Sequence, residues 1–144
     1  MAHSWLLEQC KLGKFLRIFF GCHARPDRSF YFRGKQFPIC ARCTGELVGM
    51  ILCIPTLIFW GCPSFGIVLL LMVPLILDGT IQKLTPYESG NIRRLITGIL
   101  FGVALICLFV YFHRTCVWIA GEILKLLGSD PVSVDRVMKG LGGF

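Results

Sequence analysis

The chain has 144 residues, of which 55% are hydrophobic and 16% are charged, and its mean hydropathy is +0.71. Soluble domains carry about 25% charged residues, so this composition excludes a disordered chain and argues against a water-soluble globule. Fifteen basic residues against eight acidic ones give a formal net charge of +7. We therefore expect an all-α integral membrane protein with its basic residues near the membrane surface.

The segment 1–21 is predicted to form an amphipathic helix that lies in the membrane interface. Aromatic and aliphatic residues alternate there with Lys11, Lys14 and Arg17, which repeat at every third position. A helix with such a basic stripe turns its charges toward anionic headgroups and its apolar side toward the acyl chains. The expected partners are therefore the lipid bilayer and anionic headgroups, and no nucleic acid is expected.

The segment 22–43 is a Cys/His-rich loop that is predicted to fold back on itself. Two short β-prone runs, Ser29–Phe32 and Gln36–Ile39, stand on either side of Arg33-Gly34-Lys35. Runs of this length around a glycine-containing turn are typical of a small β-hairpin. Such a reversal would bring the two ends of the loop together.

Four candidate metal ligands lie at the ends of this loop: Cys22, His23, Cys40 and Cys43. Thiolate and imidazole suit tetrahedral Zn²⁺, and a two-residue spacer lets the sulfurs of Cys40 and Cys43 reach one ion. We therefore expect a zinc site, in which either all four residues or only one of the adjacent pair Cys22 and His23 coordinates the metal. Two alternatives stay open: thiol or redox chemistry, because a helix N-terminus activates a thiol, and packing of small buried cysteines.

Three apolar runs predict three transmembrane helices. Leu47–Leu77 holds 31 residues without a charged residue or histidine, which is too long for one span of about 20 residues. Gly61-Cys62-Pro63-Ser64 in its middle predicts a turn, so the run is interpreted as a tight hairpin of helices at about Thr44–Trp60 and Phe65–Gln82. The third span is predicted at Leu95–Phe112. These spans make up a membrane domain at 44–113, followed by an extracytoplasmic amphipathic tail at 114–144.

The hairpin predicts that two acidic residues lie at the same depth. Glu46 and Asp78 are each 16 residues from Cys62, so both should lie about 24 Å from the turn. Acidic residues within spans are costly unless they face protein or water, which makes them functional candidates. The alternative is that both are ordinary helix-end charges in the headgroup region.

The same topology gathers polar residues of several segments at one membrane face. Candidate catalytic residues are Asp78, Gln82 and Glu88, and candidate substrate-binding residues are Arg28, Arg42, Asn91 and Arg93. Donors, acceptors and metal ligands that converge in this way are typical of a functional site. Two Gly-x-x-x-Gly motifs, at 45–49 and 98–102, would allow the first and third spans to approach closely.

The distribution of basic residues predicts the orientation in the membrane. Eleven lysines and arginines lie before the first span or between the second and third spans, and four follow the third span. Cytoplasmic loops carry the excess of basic residues. We therefore expect a multi-pass protein of the plasma membrane with its N-terminus in the cytoplasm.

Two blocks of the sequence carry a resemblance to a known family. The first comprises Cys22-His23, Arg28-Ser29-Phe30, Gly34-Lys35-Gln36-Phe37-Pro38 and Cys40-Ala41-Arg42-Cys43-Thr44-Gly45; the second comprises Asp78-Gly79, Gln82, Glu88-Ser89, Asn91, Arg93 and Ile96-Thr97-Gly98. On these residues the chain resembles an uncharacterised family of small prokaryotic multi-pass membrane proteins. The resemblance implies a membrane protein and no particular activity. Glu46 departs from the family's pattern, in which an apolar or aromatic residue usually follows the glycine.

The function expected from these patterns is that of a membrane protein with a cytoplasm-facing Cys/His zinc site beside a polar cluster. One alternative is an enzyme that acts on a lipid phosphate, or on a thiol substrate through Cys40 and Cys43. Another is a small metal transporter or a sensor subunit. A homo-oligomer is compatible with each of these functions.

Overall fold

The computed structural model describes residues 11–142, which are mostly helical. The elements in chain order are α1 (Lys11–Phe20), a single 3₁₀ turn (Pro26–Arg28), β1 (Tyr31–Phe32), β2 (Lys35–Gln36), α2 (Ala41–Trp60), α3 (Phe65–Leu84), α4 (Asn91–Leu126) and α5 (Pro131–Gly142). Among the described helices, α2, α3 and α4 are long and apolar enough to cross a membrane. The predicted all-α membrane fold with three spans is confirmed.

The turn between the first two spans lies at the predicted position, and α4 packs between the helices that it joins. Gly61 ends α2 with a φ of 74°, in the left-handed region that glycine adopts without strain. Helix α4 has extensive contacts with α2 and further contacts with α3, whereas α2 and α3 have few contacts with each other. The hairpin is therefore closed by α4 rather than by direct packing of its two helices.

The close packing of α2 on α4 depends on the two predicted glycine motifs. A Cβ atom at Gly45 or Gly49 would overlap backbone atoms of α4, and a Cβ atom at Gly98 or Gly102 would overlap backbone atoms of α2. The two motifs thus face each other and allow the two backbones to touch.

A small apolar core lies at the opposite end of the bundle from the Cys/His-rich loop. It comprises Val68 of α3, Cys53 of α2 and Ala104 and Cys107 of α4, and the two cysteine sulfurs are 3.8 Å apart. The Tyr111 hydroxyl donates a 2.8 Å hydrogen bond to the Pro63 carbonyl oxygen and so ties α4 to the turn.

Helix α4 continues well beyond the predicted end of the third span. It has 36 residues and ends at Leu126 instead of Phe112, so it is about 54 Å long, more than a hydrocarbon layer of about 30 Å requires. Gly121 has the lowest helix propensity of residues 113–126, and it is buried against Met138 of α5. Lys125 of α4 also forms a 2.8 Å ion pair with Asp135. The first part of the predicted tail is therefore continuous with the span, and α5 folds back onto it.

Helix α1 covers the second half of the predicted interfacial segment; residues 1–10 of that prediction lie outside the described residues. Its Phe15, Ile18 and Phe19 side chains are exposed. The Arg17 Nε atom donates a 2.9 Å hydrogen bond to the Pro38 carbonyl oxygen and attaches α1 to the loop. The helix is present as predicted, and its location in the membrane interface stays a prediction.

Candidate functional site

A short β-hairpin returns the Cys/His-rich loop to its starting point. Strands β1 and β2 pair antiparallel, with Tyr31 opposite Gln36. Arg33 and Gly34 between them have φ values of 51° and 75°, the backbone of the type I′ turns that suit two-residue hairpins. The strands are shorter than the predicted runs, but the reversal is the predicted one, and it brings Cys22 to Cys40.

Three thiols meet where the loop joins α2. One ligand atom from each of Cys22, Cys40 and Cys43 lies within 4.8 Å of the others, and the Cys40 and Cys43 sulfurs are 3.5 Å apart. Two sulfurs bound to one tetrahedral zinc ion at about 2.3 Å each are about 3.8 Å apart. The arrangement is thus already close to that of a thiolate metal site.

The backbone around Cys22 orients its sulfur toward the cluster. The amides of Cys40 and Ala24 donate hydrogen bonds of 3.1 and 3.4 Å to Cys22 Sγ. Ala24 has a φ of 45°, which is uncommon for a residue with a Cβ, and its carbonyl oxygen accepts a 2.8 Å hydrogen bond from Gln36 Nε2. Hydrogen bonds of this kind position ligands around a metal.

His23, the fourth predicted ligand, is not part of the group that the structure brings together. Its side chain is exposed and lines the adjacent cavity, and its ring nitrogens are not among the clustered ligand atoms. His23 follows Cys22 directly in the chain, and adjacent residues of an extended loop point in different directions. The described residues thus offer three clustered ligands.

The thiol of Cys40 has a lowered pKa. A hydrogen bond with the Cys43 thiol is the main cause that lowers the pKa of Cys40 from 9.0 to about 5. The opposing effect of burial is outweighed, because further hydrogen bonds come from the backbone of Cys43 and Arg42 and from the Cys22 side chain. Cys40 therefore carries a thiolate at neutral pH, as metal binding and nucleophilic chemistry both require.

Asp78 organises the polar cluster from within α3. Its side chain is 1% exposed, and its Oδ2 atom accepts hydrogen bonds from Arg42 Nη2 (2.5 Å), Gln82 Nε2 (3.2 Å) and Ser89 Oγ (3.2 Å). Its Oδ1 atom lies 3.4 Å from Arg93 Nε, without hydrogen-bond geometry. A buried carboxylate is stable only when its charge is paired in this way. Because its partners Arg42 and Arg93 belong to α2 and α4, Asp78 of α3 connects all three spans.

The other predicted polar residues are less enclosed. Glu88 is exposed and accepts a 2.8 Å hydrogen bond from Arg28 Nη2. Arg93 is exposed and donates a 3.1 Å hydrogen bond to the Tyr87 hydroxyl. Asn91 is the first residue of α4. The N-cap of α4 is Gly90, and the Ser89 hydroxyl donates a hydrogen bond to Asp78.

A cavity of about 510 Å³ adjoins the thiols and the polar cluster. All three clustered cysteines line it, together with Gln82, Glu46 and the arginines 25, 28, 42 and 94. Of the predicted catalytic residues only Gln82 lines the cavity, whereas the predicted substrate-binding residues Arg28 and Arg42 both do. The cavity thus combines a soft-metal ligand set with guanidinium groups.

Two further buried residues, Arg94 and Ser89, belong to this site. Arg94 is 4% exposed, lines the cavity and donates a 3.1 Å hydrogen bond from Nε to Ser89 Oγ. Ser89 is buried as well, and its hydroxyl also accepts a hydrogen bond from Gln82. The sequence did carry a signal for Arg94, because it lies one helical turn before Gly98 and therefore on the face of α4 that packs on α2.

Comparison with known proteins gives a family and uncharacterised relatives. An uncharacterised protein of Methanothermobacter thermautotrophicus is 35% identical over 96 residues, which cover 62% of this chain and 85% of that protein. An uncharacterised protein of Methanocaldococcus jannaschii is 37% identical over 91 residues, which cover 59% of this chain and 58% of that protein. No solved structure matches. The family model described as "Predicted membrane protein (DUF2085)" matches residues 22–108, which include the three clustered thiols and Asp78, and the chain belongs to this family.

Proposed function

We propose that this protein is a membrane-embedded metal-binding protein in which Cys22, Cys40 and Cys43 hold one Zn²⁺ ion, with the fourth coordination position facing the cavity. The observation that carries the proposal is the convergence of three thiols from the two ends of the loop. Three protein ligands and one open position are typical of zinc sites that bind or activate a ligand, whereas structural sites have four.

The surroundings of the thiols support this assignment. The amides of Cys40 and Ala24 donate to Cys22 Sγ, and the lowered pKa of Cys40 supplies one ligand in its thiolate form. His23 lies on the cavity wall, where water, His23 or a bound molecule would complete the tetrahedron. Asp78 acts in this proposal as a positioning residue that holds Arg42 at the cavity.

Metal analysis of the purified protein tests the proposal. In a mild detergent we expect about one zinc per chain by elemental analysis, and a sulfur-to-metal charge-transfer band after exchange with Co²⁺. Cys22→Ser, Cys40→Ser and Cys43→Ser should each lose most of the metal. Cys116→Ser is the matched control, because Cys116 is an exposed free thiol outside the cluster and its loss should leave the metal content unchanged. Equal metal content in all four variants would exclude the site.

A second candidate function is thiol redox chemistry by Cys40 and Cys43. The 3.5 Å separation of their sulfurs and the lowered pKa of Cys40 favour it, since a low-pKa cysteine in a Cys-x-x-Cys motif is a nucleophile. The two functions differ in their need for Cys22. Zinc binding requires all three thiols, whereas a reversible Cys40–Cys43 disulfide, measured by thiol trapping in graded redox buffers, would form equally well in Cys22→Ser.

We also propose that the site faces the cytoplasm of a plasma-membrane protein. The excess of basic residues on the side of the loop supports this orientation. Labelling with a membrane-impermeant maleimide in intact cells tests it, in two variants that each keep one reporter cysteine. Cys116, near the opposite end of the spans, should react in intact cells. The reporter introduced by Arg33→Cys should react only after permeabilisation. The reverse pattern would overturn the orientation.

A further inference from the structure

We propose that the arginine-lined side of the cavity binds a phosphate group, with Arg94 as its principal ligand. Arg28 and Arg42 line the same cavity and complete the set of donors. The ligand is a phosphomonoester, either the headgroup of a membrane lipid or a soluble phosphate. This site goes beyond the metal site, because its ligands are guanidinium groups and none of them is a thiol.

Arg94 is a buried cation with no carboxylate in direct contact, and the negative charges of Asp78 and Glu88 act on it only at longer range. Its side chain is 4% exposed, and no carboxylate among the described residues lies within 4.0 Å of its guanidinium nitrogens. Its neighbour Ser89 supplies an uncharged hydroxyl oxygen. A buried charge is strongly unfavourable unless it is paired. Since Arg94 lines the cavity, an anion in the cavity is the partner that would pair it.

The neighbouring arginines have unused donors as well. The Nε atoms of Arg28 and Arg42 are buried and have no hydrogen-bond partner among the described residues, and the Asp27 Oδ2 atom lies 3.4 Å from Arg28 Nε without hydrogen-bond geometry. Their terminal nitrogens are held by Glu88 and Asp78 respectively, so both guanidinium groups are fixed in place before a ligand arrives. Preorganised donors of this kind lower the entropic cost of binding.

The chemistry of the site favours phosphate over a simple carboxylate. Planar guanidinium groups bind phosphate oxygens through paired hydrogen bonds, and a phosphomonoester presents three terminal oxygens and up to two negative charges to the three arginines. A volume of about 510 Å³ is ample for such a group. Glu46 on the cavity wall is the opposing charge, and it lies more than 4.0 Å from the guanidinium nitrogens of all three arginines.

The location of the cavity places it within reach of both sources of phosphate. It lies at the end of the three spans, and its wall includes Phe20 and Gly21 at the end of α1. The apolar side chains of Phe15, Ile18 and Phe19 of α1 are exposed, as expected for a helix that lies in the membrane at the depth of the headgroups. Lipid phosphates and solutes both meet the protein at that depth.

Binding measurements with three probes test the site and identify the source. Inorganic phosphate is titrated into delipidated protein in detergent, and the protein is reconstituted in nanodiscs of phosphatidylcholine with either phosphatidic acid or phosphatidylserine. Retention of phosphatidic acid above phosphatidylserine would assign a lipid ligand, and saturable binding of inorganic phosphate alone would assign a soluble one; both support the site. Absence of saturable phosphate binding together with equal retention of the two anionic lipids would overturn it.

Variants separate this site from surface charge and from the metal. Arg94→Gln should weaken binding about 10- to 100-fold, which corresponds to the loss of a hydrogen bond to a charged group. Arg33→Gln is the matched control, because Arg33 is exposed in the hairpin turn, and it should bind as the wild type does. Cys43→Ser should also keep its phosphate affinity, so that the metal site and the phosphate site can fail independently.

The unfolding temperature shows whether a variant binds phosphate poorly because it has lost a ligand or because it is misfolded. Without phosphate, Arg94→Gln should unfold at the same temperature as the wild type or at a higher one, because it removes an unpaired buried charge. With saturating phosphate, only the wild type should gain stability. A large loss of stability of Arg94→Gln without phosphate, together with wild-type affinity, would contradict the proposal.

Discussion

Asp78→Asn should destabilise the membrane bundle far more than loss of an exposed carboxylate at the same membrane face. The Asp78 side chain is 1% exposed and that of Arg42 is 25% exposed, and their ion pair has an N···O distance of 2.5 Å. Replacement by asparagine removes the charge but keeps the shape, so that Arg42 is left without its counter-ion. Breaking one partner of a buried pair costs about 3–5 kcal/mol, which shifts the folding equilibrium by about 10²- to 10⁴-fold.

The same membrane face provides a matched control for this substitution. Arg28 and Glu88 form an ion pair at 2.8 Å, and their side chains are 34% and 67% exposed. Water already solvates these charges, so Glu88→Gln should lower the free energy of unfolding by only about 0–1 kcal/mol. Comparison of the two variants therefore isolates the effect of burial from that of charge.

Equilibrium unfolding in mixed detergent micelles with increasing SDS measures both changes. A double-mutant cycle with Arg42→Gln and Asp78→Asn should give a double variant that is more stable than the sum of the single effects, by about 1–3 kcal/mol. If Asp78→Asn cost no more than Glu88→Gln, or if the two substitutions were additive, Asp78 would not be the buried counter-ion of Arg42, and the reasoning would be refuted.

Three further predictions concern the packing of α4 and the reactive thiol. Gly98→Ala should lower the free energy of unfolding by about 1–3 kcal/mol, because the new Cβ would overlap the α2 backbone. Gly66→Ala is the control, because its Cβ meets open space, and it should change the free energy of unfolding little in the same SDS titration. Tyr111→Phe removes the hydrogen bond to the turn and should lower the free energy of unfolding by about 0.5–1.5 kcal/mol. An unchanged midpoint of the SDS titration would show that this hydrogen bond contributes nothing to stability. Alkylation of Cys40 in metal-free protein should rise with pH to a plateau with a midpoint near the lowered pKa of about 5; in Cys43→Ala the midpoint should move up toward 9, and a midpoint near 9 in both proteins would contradict the lowered pKa.

The hydrophobic pattern was sufficient to predict the spans because helices in a membrane must satisfy their backbone hydrogen bonds internally. The turn at Gly61, the start of α3 at Phe65 and the reversal at Arg33-Gly34 all lie where local residues indicated them. The end of α4 did not follow from the same pattern. Charged and polar residues after Phe112 mark the end of an apolar run, but they do not end a helix, which continues to Leu126.

In the candidate site, too, some features followed from the sequence and others did not. The meeting of Cys22 with Cys40 and Cys43 followed from the spacing of the cysteines and the predicted hairpin. The position of His23 did not follow from the sequence, because the direction of a side chain in a loop depends on the local φ and ψ angles. The left-handed backbone conformation of the neighbouring Ala24 is not evident from the sequence. The different environments of Arg93 and Arg94 could not be assigned without knowing which face of α4 packs on α2.

The amino-acid sequence alone determined the membrane class, the number of spans and the set of residues at one membrane face, because these depend on hydrophobicity and on chain distance. Only the tertiary structure decided that α4 lies between α2 and α3, that Asp78 is buried among arginines and that Arg94 borders the cavity. Contacts of this kind depend on the rotation of each helix about its axis. That rotation is fixed when glycine faces on two distant segments meet, so it is a property of the pair and not of either segment.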